Sequence, residues 1–185
     1  ALSTAEEIGA YFEECLKDVN FKILEMSQRF EKNKGMATTV VIAYVADNQL
    51  YIANVGDSRA YVLRDGELNQ ITEDHTYVNT LLKAGIISEE EAANHENKNM
   101  ITRAVGADYT IEPDFFQVSI EAGDMILICT DGLYGEVEKS ELISRLTEEE
   151  SMTHICNELV EAANRNGGSD NITMVVLKVT EDDIR

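Results

Sequence analysis

Three aspartates stand at the ends of apolar segments of the chain, where a charged side chain needs a partner. Asp57 follows YIANVG, Asp131 follows MILICT, and Asp170 precedes NITMVVLKV. Burial of an isolated carboxylate costs several kcal/mol unless the group is paired or coordinated. If these strand-end carboxylates converge, they form an all-oxygen site, and such ligands favour Mg²⁺ or Mn²⁺ over Zn²⁺.

An ordinary structural interpretation of the same residues is open as well. Asp-Gly and Gly-Asp pairs are common in turns, and the chain has such a turn at Asp65, which is flanked by polar residues. Asp131 could cap a short helix over residues 133–137, and Asp170 could cap a loop. Residue type and spacing alone therefore leave a metal site and a set of turns and caps as alternatives.

The elements that must position these aspartates follow from the periodicity of the apolar residues. A repeat of three and four predicts a helix over residues 3–32, with a capping box at Ser3 and Glu6. β-Branched and apolar runs predict strands, and polar segments interrupted by glycine predict helices. The predicted strands are 37–47, 49–57, 58–63, 67–71, 115–120, 125–130 and 171–179, and the further helices are 76–97, 138–146 and 151–165.

The order of these elements predicts the fold class. The first four strands are expected to form an antiparallel meander, and residues 121–124 a turn between the next two strands. Gly85 is expected to divide the helical segment 76–97, with a second helix beginning at Ser88. Strands in hairpin order with helices in blocks are typical of an α+β layered sandwich rather than a doubly wound parallel sheet.

Composition places the chain among acidic globular proteins. Its 185 residues are expected to form one domain, since 44% of them are hydrophobic, and its net charge is -20. A surface of that charge repels phosphate backbones and anionic lipid headgroups, so nucleic acid and membrane partners are not expected. The three cysteines are far apart and form no CxxC, which predicts a reducing, cytoplasmic location without a disulfide framework or thiolate zinc site.

Six segments in a fixed order resemble the PP2C-type, metal-dependent serine/threonine protein phosphatases, particularly their compact bacterial branch. They are GMATTVV (35–41), ANVGDSRAYVLRDGEL (53–68), ITEDHT (71–76), ITRAVG (101–106), ILICTDGL (126–133) and GGSDNITMVVL (167–177). VGDSRAY, the strand ending in Asp-Gly-Leu and GGSDN are specific in combination, although each is weak alone. The resemblance implies two antiparallel β-sheets packed face to face with helices outside, which agrees with the predicted layered sandwich.

The resemblance also implies a metal centre. Asp131 and Asp170 correspond to metal-ligating aspartates of the family, and Asp57 corresponds to the aspartate of a further, more weakly held metal. The complete domain is expected to bind two or three Mn²⁺ or Mg²⁺ ions. Asn171 is expected to orient the loop that carries Asp170. The residues expected to support the metal ligands are Asn171, Gly132 and Thr38.

A flap beside the active site is implied by the same resemblance, over residues 76–97 and the histidine before them. The residues expected to influence substrate access there are His75, Asn79 and His95. From residue type alone, His75, His95 and His154 are interpreted as structural or surface residues rather than catalytic groups.

Two motifs of the family do not occur in the sequence. The family domain normally opens with an Arg-…-Asn-Glu-Asp motif, whose arginine binds the substrate phosphate, and an Asp-Gly-x-Gly-Gly motif, whose aspartate bridges two metals. The resemblance therefore implies a single PP2C-like domain over residues 1–185 that is N-terminally truncated and lacks the first two strands. We expect such a chain to be weakly active or inactive by itself.

The activity implied by the resemblance is hydrolysis of phosphoserine and phosphothreonine in proteins by a metal-activated water. No protein nucleophile is required, which fits a site made of aspartates. The implied partners are phosphoproteins that are kinase substrates in bacterial signalling, and exposed sheet edges predict a dimer. The alternative is a catalytically impaired phosphatase-fold chain that acts as a regulatory or interaction module, including a regulator of one dedicated phosphoprotein.

Overall fold

The computed structural model describes residues 4–148 and 150–184. Its α-helices are α1 (Ala5–Arg29), α2 (Tyr77–Lys83), α3 (Glu89–Ala93), α4 (Asp131–Tyr134), α5 (Lys139–Leu146) and α6 (Met152–Asn166). Its strands are β1 (Val40–Ala46), β2 (Gln49–Val55), β3 (Arg59–Arg64), β4 (Glu67–Gln70), β5 (Asp114–Ser119), β6 (Met125–Cys129) and β7 (Met174–Lys178). The predicted helices and strands all have counterparts, with boundaries that differ by a few residues.

The described strands form two sheets, and their partners differ from the predicted ones. One sheet has the strand order β1-β2-β5 and the other the order β4-β3-β6-β7. The predicted meander of the first four strands is wrong, because β2 and β3 belong to different sheets. The chain leaves β2 at Gly56, whose φ of 112° lies in the left-handed region that favours glycine. The predicted turn over 121–124 is confirmed, and it links β5 of one sheet to β6 of the other. Strand patterns report local extension, whereas partner choice depends on contacts distant in sequence.

One compact unit comprises residues 4–42, 53–57 and 73–115 of the described chain. Its helix α1 begins with a capping box. The Thr4 hydroxyl accepts the Glu7 N–H at 3.2 Å, and the Glu7 carboxylate accepts the Thr4 N–H at 3.3 Å. The capping box therefore lies one position after the predicted pair, and the predicted cap Ser3 lies outside the described residues.

The buried stripe of α1 is apolar except at one position. Its buried apolar side chains are Ile8, Phe12, Leu16 and Leu24. Asn20 lies in the same stripe, where 2% of its surface is exposed. Its Nδ2 donates to the Asp108 carbonyl at 2.9 Å, and its Oδ1 accepts the Gly106 N–H at 2.6 Å. The amide thus satisfies two backbone groups and ties α1 to the loop over 106–108.

Residues 76–97 form two short helices in this unit. Thr76 caps α2 by accepting the Asn79 N–H at 3.3 Å, and Ser88 and Glu91 form the capping box of α3. Gly85 separates the two helices with a φ of 66°. The predicted break at Gly85 and the predicted start at Ser88 are both confirmed.

The second compact unit comprises residues 43–52, 58–72, 116–148 and 150–184 of the described chain. Its four-stranded sheet is antiparallel, and the β3-β6 register sets Tyr61 opposite Leu127. Since alternate side chains of a strand point to one face, Tyr61, Leu127 and their alternate neighbours form an apolar surface that α5 and α6 cover. The buried residues of this core are Tyr61, Leu63, Leu68, Met125, Leu127, Cys129, Leu133, Val137, Leu142, Leu146, Ile155, Leu159, Ala162 and Ala163.

An ion pair fixes the turn over 121–124 in this second unit. Arg64 on β3 donates from Nε to Asp124 Oδ1 at 2.8 Å and from a terminal nitrogen to Asp124 Oδ2 at 2.6 Å. Asp124 Oδ2 also accepts the Glu121 N–H at 2.9 Å. Burial raises the pKa of the Asp124 carboxyl, but the hydrogen bonds from Arg64 and Glu121 and the charge of Arg64 outweigh burial and lower it. The Asp124 side chain is 2% exposed and the Arg64 side chain 32%, so a buried carboxylate is paired with a half-buried guanidinium.

No helix within residues 4–148 and 150–184 is both long and apolar enough to cross a membrane. The three cysteines, Cys15, Cys129 and Cys156, are free thiols.

Candidate metal centre

Asp131 follows β6, an inner strand of the four-stranded sheet. The strand ends at Cys129, Thr130 is the N-cap of α4, and Asp131 is the first residue of that helix. The alternative in which Asp131 itself caps a helix is therefore wrong. Asp131 Oδ1 accepts the Gly132 N–H at 2.9 Å, and this bond orients the carboxylate at the start of α4.

A close backbone approach joins the segments that carry Asp131 and Asp170. A Cβ atom built on Gly132 would lie 2.3 Å from the Asn171 carbonyl oxygen and 3.4 Å from the Asp170 carbonyl carbon. A residue without a side chain is needed for that approach. The structure thus places two of the three predicted ligands on adjoining segments, and it places Gly132 and Asn171 at the junction.

Thr130 holds this junction in register. Its N–H donates to the Thr173 carbonyl at 3.0 Å, and its Oγ1 accepts the Thr173 N–H at 3.1 Å. The Thr130 hydroxyl also lies 3.2 Å from the Asn171 carbonyl oxygen, to which it can donate. These contacts continue the β6-β7 pairing up to the two aspartates, so the sheet itself sets their relative position.

The loop that carries Asp170 is held by a residue that sequence analysis missed. The Ser169 hydroxyl donates to the Glu136 carboxylate, and Asn166 Nδ2 donates to the Glu136 carbonyl at 2.8 Å. Asp170 Oδ1 accepts the Asn171 N–H at 2.6 Å, so Asn171 orients the Asp170 carboxylate. Glu136 stands far from Ser169 in sequence and in no periodic pattern with it, and no sequence signal marked it.

Asp57 belongs to the first unit, where it follows β2 and is 6% exposed. A Cβ on the preceding Gly56 would lie 2.3 Å from Thr39 Cγ2, so glycine is required there for space as well as for its positive φ. Both backbone polar groups of Gly56 bind His75. Gly56 N–H donates to His75 Nδ1 at 3.1 Å, and His75 N–H donates to the Gly56 carbonyl at 3.0 Å. The backbone directly before Asp57 is therefore held in place by hydrogen bonds to His75.

Thr38 also lies in the first unit, beside Val105. The two residues exchange backbone hydrogen bonds of 3.0 and 2.8 Å, and the Thr38 hydroxyl donates to the Thr39 carbonyl at 3.0 Å. Thr38 is exposed. Its expected support of a metal ligand stays a prediction.

The predicted flap residues mainly hold their own segment together. Asn79 Nδ2 donates to the Asp74 carbonyl at 2.7 Å. The His95 ring lies edge-on to Tyr77, with 5.8 Å between the ring centroids, and its Nδ1 accepts the Asn97 N–H at 3.0 Å. His75 is 6% exposed and turned inward. The role of these residues in substrate access stays a prediction.

Arg59 on β3 stacks on Tyr134, the last residue of α4. The Arg59 guanidinium carbon lies 3.6 Å from the centroid of the Tyr134 ring, and an Arg59 terminal nitrogen donates to the Tyr61 hydroxyl at 3.0 Å. A guanidinium stacked on an aromatic ring is a favourable cation–π contact. The contact joins β3 to the helix that begins with Asp131.

The donor atoms fit part of a coordination sphere for a hard cation. Within residues 4–148 and 150–184, no group of three or more His, Cys, Asp and Glu side chains is arranged to hold a metal ion. Asp131 and Asp170 on adjoining segments offer carboxylate oxygens, which suit Mg²⁺ and Mn²⁺. Mg²⁺ is commonly held by one or two carboxylates, with waters and phosphate oxygens completing its octahedron. The junction is chemically suited to such an ion.

Known proteins resemble this chain over nearly its whole length. The profile of the family described as Protein phosphatase 2C matches residues 9–172. The serine/threonine phosphatase stp of Listeria monocytogenes is 40% identical over 178 residues, which cover 96% of this chain and 71% of that protein.

Solved structures show the same architecture. The serine/threonine phosphatase of S. agalactiae has a TM-score of 0.91 at 36% identity, covering 97% of this chain and 73% of that one. The catalytic domain of the serine/threonine protein phosphatase PstP, in complex with two manganese ions, has a TM-score of 0.82 at 35% identity, covering 93% and 71%. The predicted α+β fold of two antiparallel sheets with flanking helices is confirmed.

Proposed function

We propose, from the premise that this chain belongs to the protein phosphatase 2C family, that it hydrolyses phosphoserine and phosphothreonine in proteins. The observation that carries the proposal is the junction at Gly132 and Asn171, which sets Asp131 and Asp170 on adjoining segments. Both aspartates lie inside the span of 9–172 that matches the family.

The proposed cofactor is Mn²⁺ or Mg²⁺, and the relative PstP is described with two manganese ions. A bound divalent ion supplies a Lewis acid for phosphoryl oxygens and a water of lowered pKa. Asp131 and Asp170 each present Oδ1 to the next backbone N–H. These contacts orient both carboxylates, and we assign their Oδ2 atoms to the cation. Asp57 is proposed as a ligand of a further ion.

The side chains of the second unit favour binding and orientation over covalent catalysis. Cys129, two residues before Asp131, is 2% exposed and belongs to the apolar core. A thiol in such surroundings is poorly suited to act as a nucleophile. The proposed reaction therefore uses water as its nucleophile. The protein contributes the carboxylates of Asp131 and Asp170, which the sheet and the contact of Ser169 with Glu136 hold in position.

A second candidate function is a regulatory or interaction module without turnover. It is favoured by the lack, among the residues that the structure describes, of a group of three or more metal-ligating side chains. The sequence also contains no Asp-Gly-x-Gly-Gly motif. We therefore expect turnover by this chain to be weak. The cytoplasmic location, the phosphoprotein partners that are kinase substrates, and a dimer stay predictions.

The deciding experiment compares two aspartates that each precede glycine. Hydrolysis of p-nitrophenyl phosphate and of a phosphothreonine peptide is measured with Mn²⁺, with Mg²⁺ and with EDTA. We expect metal-dependent turnover that Asp131→Asn abolishes. The control Asp65→Asn makes the same replacement of a carboxylate by an amide at an exposed residue of the turn between β3 and β4. We expect it to leave turnover unchanged.

The possible results separate the two candidate functions. Turnover that EDTA removes and Asp131→Asn abolishes supports the phosphatase. Mn²⁺ binding by calorimetry without turnover of either substrate supports the interaction module. Turnover that survives EDTA, or that Asp131→Asn leaves intact, overturns the proposed metal centre.

A further inference from the structure

A buried histidine forms two hydrogen bonds with Gly56, the residue that precedes Asp57. His75 is 6% exposed, and its ring Nδ1 accepts the Gly56 N–H at 3.1 Å. Its own N–H donates to the Gly56 carbonyl at 3.0 Å, and its carbonyl accepts the Thr102 N–H at 2.8 Å. One residue thus binds both polar groups of Gly56 and is itself anchored to the segment near residue 102.

The other ring nitrogen of His75 faces a carboxylate. Nε2 lies 3.0 Å from Asp114 Oδ2, and Arg103 donates to Asp114 Oδ1 at 2.9 Å. Arg103 also donates to the Glu112 carbonyl at 3.3 Å, and its terminal nitrogen lies 3.2 Å from His75 Nε2. Burial raises the pKa of the Asp114 carboxyl, but the hydrogen bonds from His75 and Arg103 and the charge of Arg103 outweigh burial and lower it. Asp114 is therefore an ionised acceptor.

These partners select one form of the imidazole. A backbone N–H can only donate, so Nδ1 of His75 must be the unprotonated acceptor for Gly56. An ionised carboxylate can only accept, so Nε2 carries the proton that is donated to Asp114. The Arg103 nitrogen near Nε2 can only donate, but its two protons have acceptors in Asp114 Oδ1 and the Glu112 carbonyl. The neutral Nε2–H tautomer meets both demands. A proton on Nδ1 would point at the Gly56 N–H, and the hydrogen bond between these two groups would be lost.

We propose that His75 is a positioning residue for Asp57, acting through the Gly56 peptide in the tautomer that Asp114 selects. The inference rests on the proposed function, in which Asp57 binds a further metal ion. Gly56 has a φ of 112°. Glycine adopts positive and negative φ values about equally readily, so its backbone could take other conformations there. The hydrogen bonds to His75 restrict that freedom, and with it the direction in which the Asp57 carboxylate leaves the turn.

The first test compares two replacements of similar size at position 75. His75→Asn keeps an acceptor oxygen near the place of Nδ1, whereas His75→Leu has none. Mn²⁺ binding is followed by calorimetry, and circular dichroism verifies that each variant is folded. We expect His75→Leu to weaken the binding step that Asp57→Asn also weakens, by roughly 10- to 100-fold. His75→Asn should retain most of the affinity, and equal losses in both variants would overturn the proposal.

A second test leaves His75 in place and so does not depend on either replacement folding. In Asp114→Asn, the donor Arg103 is expected to keep the amide oxygen at the position of Oδ1. The amide nitrogen then faces Nε2 and can only donate to it, so the ring proton is expected to move to Nδ1. Long-range ¹H–¹⁵N spectra of the imidazole report the tautomer. The control is Glu73→Gln, which removes the same charge from an exposed pair with Lys83, two residues before His75.

The outcomes distinguish this proposal from the proposed function. We expect Asp114→Asn to change the tautomer and weaken Mn²⁺ binding about tenfold, while Glu73→Gln changes neither. A changed tautomer with unchanged Mn²⁺ affinity overturns only the role of His75, and an unchanged tautomer overturns the role of Asp114. If the unchanged chain binds no Mn²⁺ at all, the metal centre itself fails, and the positioning role fails with it.

Discussion

The junction at Gly132 predicts that a single added methyl group separates the two candidate ligands. In Gly132→Ala, the new Cβ would lie 2.3 Å from the Asn171 carbonyl oxygen and 2.9 Å from its carbonyl carbon. Ordinary contacts between carbon and other heavy atoms are roughly 3.5 Å, so the segments must part by about 1 Å. The opposing atoms are backbone, and no side-chain rotation can relieve the overlap.

The cost can be worked from two opposing effects. Overpacking of this kind destabilises a protein by about 1–3 kcal/mol. Alanine is favoured over glycine inside a helix by about 1 kcal/mol, but α4 has four residues and gains little of that. We expect a net loss of about 1–3 kcal/mol, which is roughly 2–12 °C in Tm for a chain of this size. Mn²⁺ affinity should fall with it, because Asp131 and Asp170 move apart.

The assay is thermal and urea unfolding, with Mn²⁺ titration by calorimetry, and the chain offers a matched control. Gly9 is also helical, and a Cβ on it meets nothing within 4 Å. Gly9→Ala should therefore stabilise the protein by about 0.5–1 kcal/mol and leave Mn²⁺ binding unchanged. If Gly132→Ala were as stable as Gly9→Ala and bound Mn²⁺ as well as the parent, the close approach would not hold the ligands, and the reasoning would be refuted.

Three further predictions concern other buried contacts. Asp124→Asn should lower the free energy of unfolding by about 2 kcal/mol at neutral pH, because the buried carboxylate loses its charge-assisted hydrogen bonds with Arg64. Since the pKa of Asp124 is lowered in the folded state, that stabilisation is present above the unfolded value of about 3.9 and is lost as pH falls through the folded pKa. Urea midpoints of parent and variant should therefore converge in acid, and a constant difference would contradict the pairing. Asn20→Ala should cost about 2–4 kcal/mol in urea unfolding, because two buried backbone groups lose their partner, whereas a loss near zero would show that water replaces the amide. Glu136→Gln should weaken Mn²⁺ binding several-fold with little change in Tm, as the Asp170 loop loses its charged anchor; an unchanged calorimetric titration would show that the loop needs no anchor.

Local features of the fold were predictable from the sequence, because they are encoded over a few residues. The break at Gly85, the helix start at Ser88 and the strand leading to Asp131 all depend on neighbouring side chains and on glycine. The capping box was predicted one residue too early, since Ser3 and Thr4 are each followed by a glutamate three positions later.

Pairing between distant segments was not predictable in the same way. Strands β2 and β3 are separated by three residues, yet they have different sheet partners, because strand order depends on how whole surfaces are buried. The aspartates were identified as candidates by their places beside apolar runs. Their supports, Glu136 and the His75–Asp114 pair, come from parts of the chain that share no periodicity with them.

The sheet order of the second unit has a consequence for how the chain can vary in length. Pairing of β3 with β6 joins Arg59 to Cys129, and the intervening chain, which includes α2, α3 and β5, is a loop closed by that pairing. The entropy of closing a flexible loop grows only with the logarithm of its length, by about 0.6 kcal/mol for each doubling. Extra residues at the exposed bend around Gly85 would therefore add little to the cost of forming the sheet. The segment between the two helices is a permissive insertion point, where the protein can gain new surface without rebuilding the strands that hold Asp131 and Asp170.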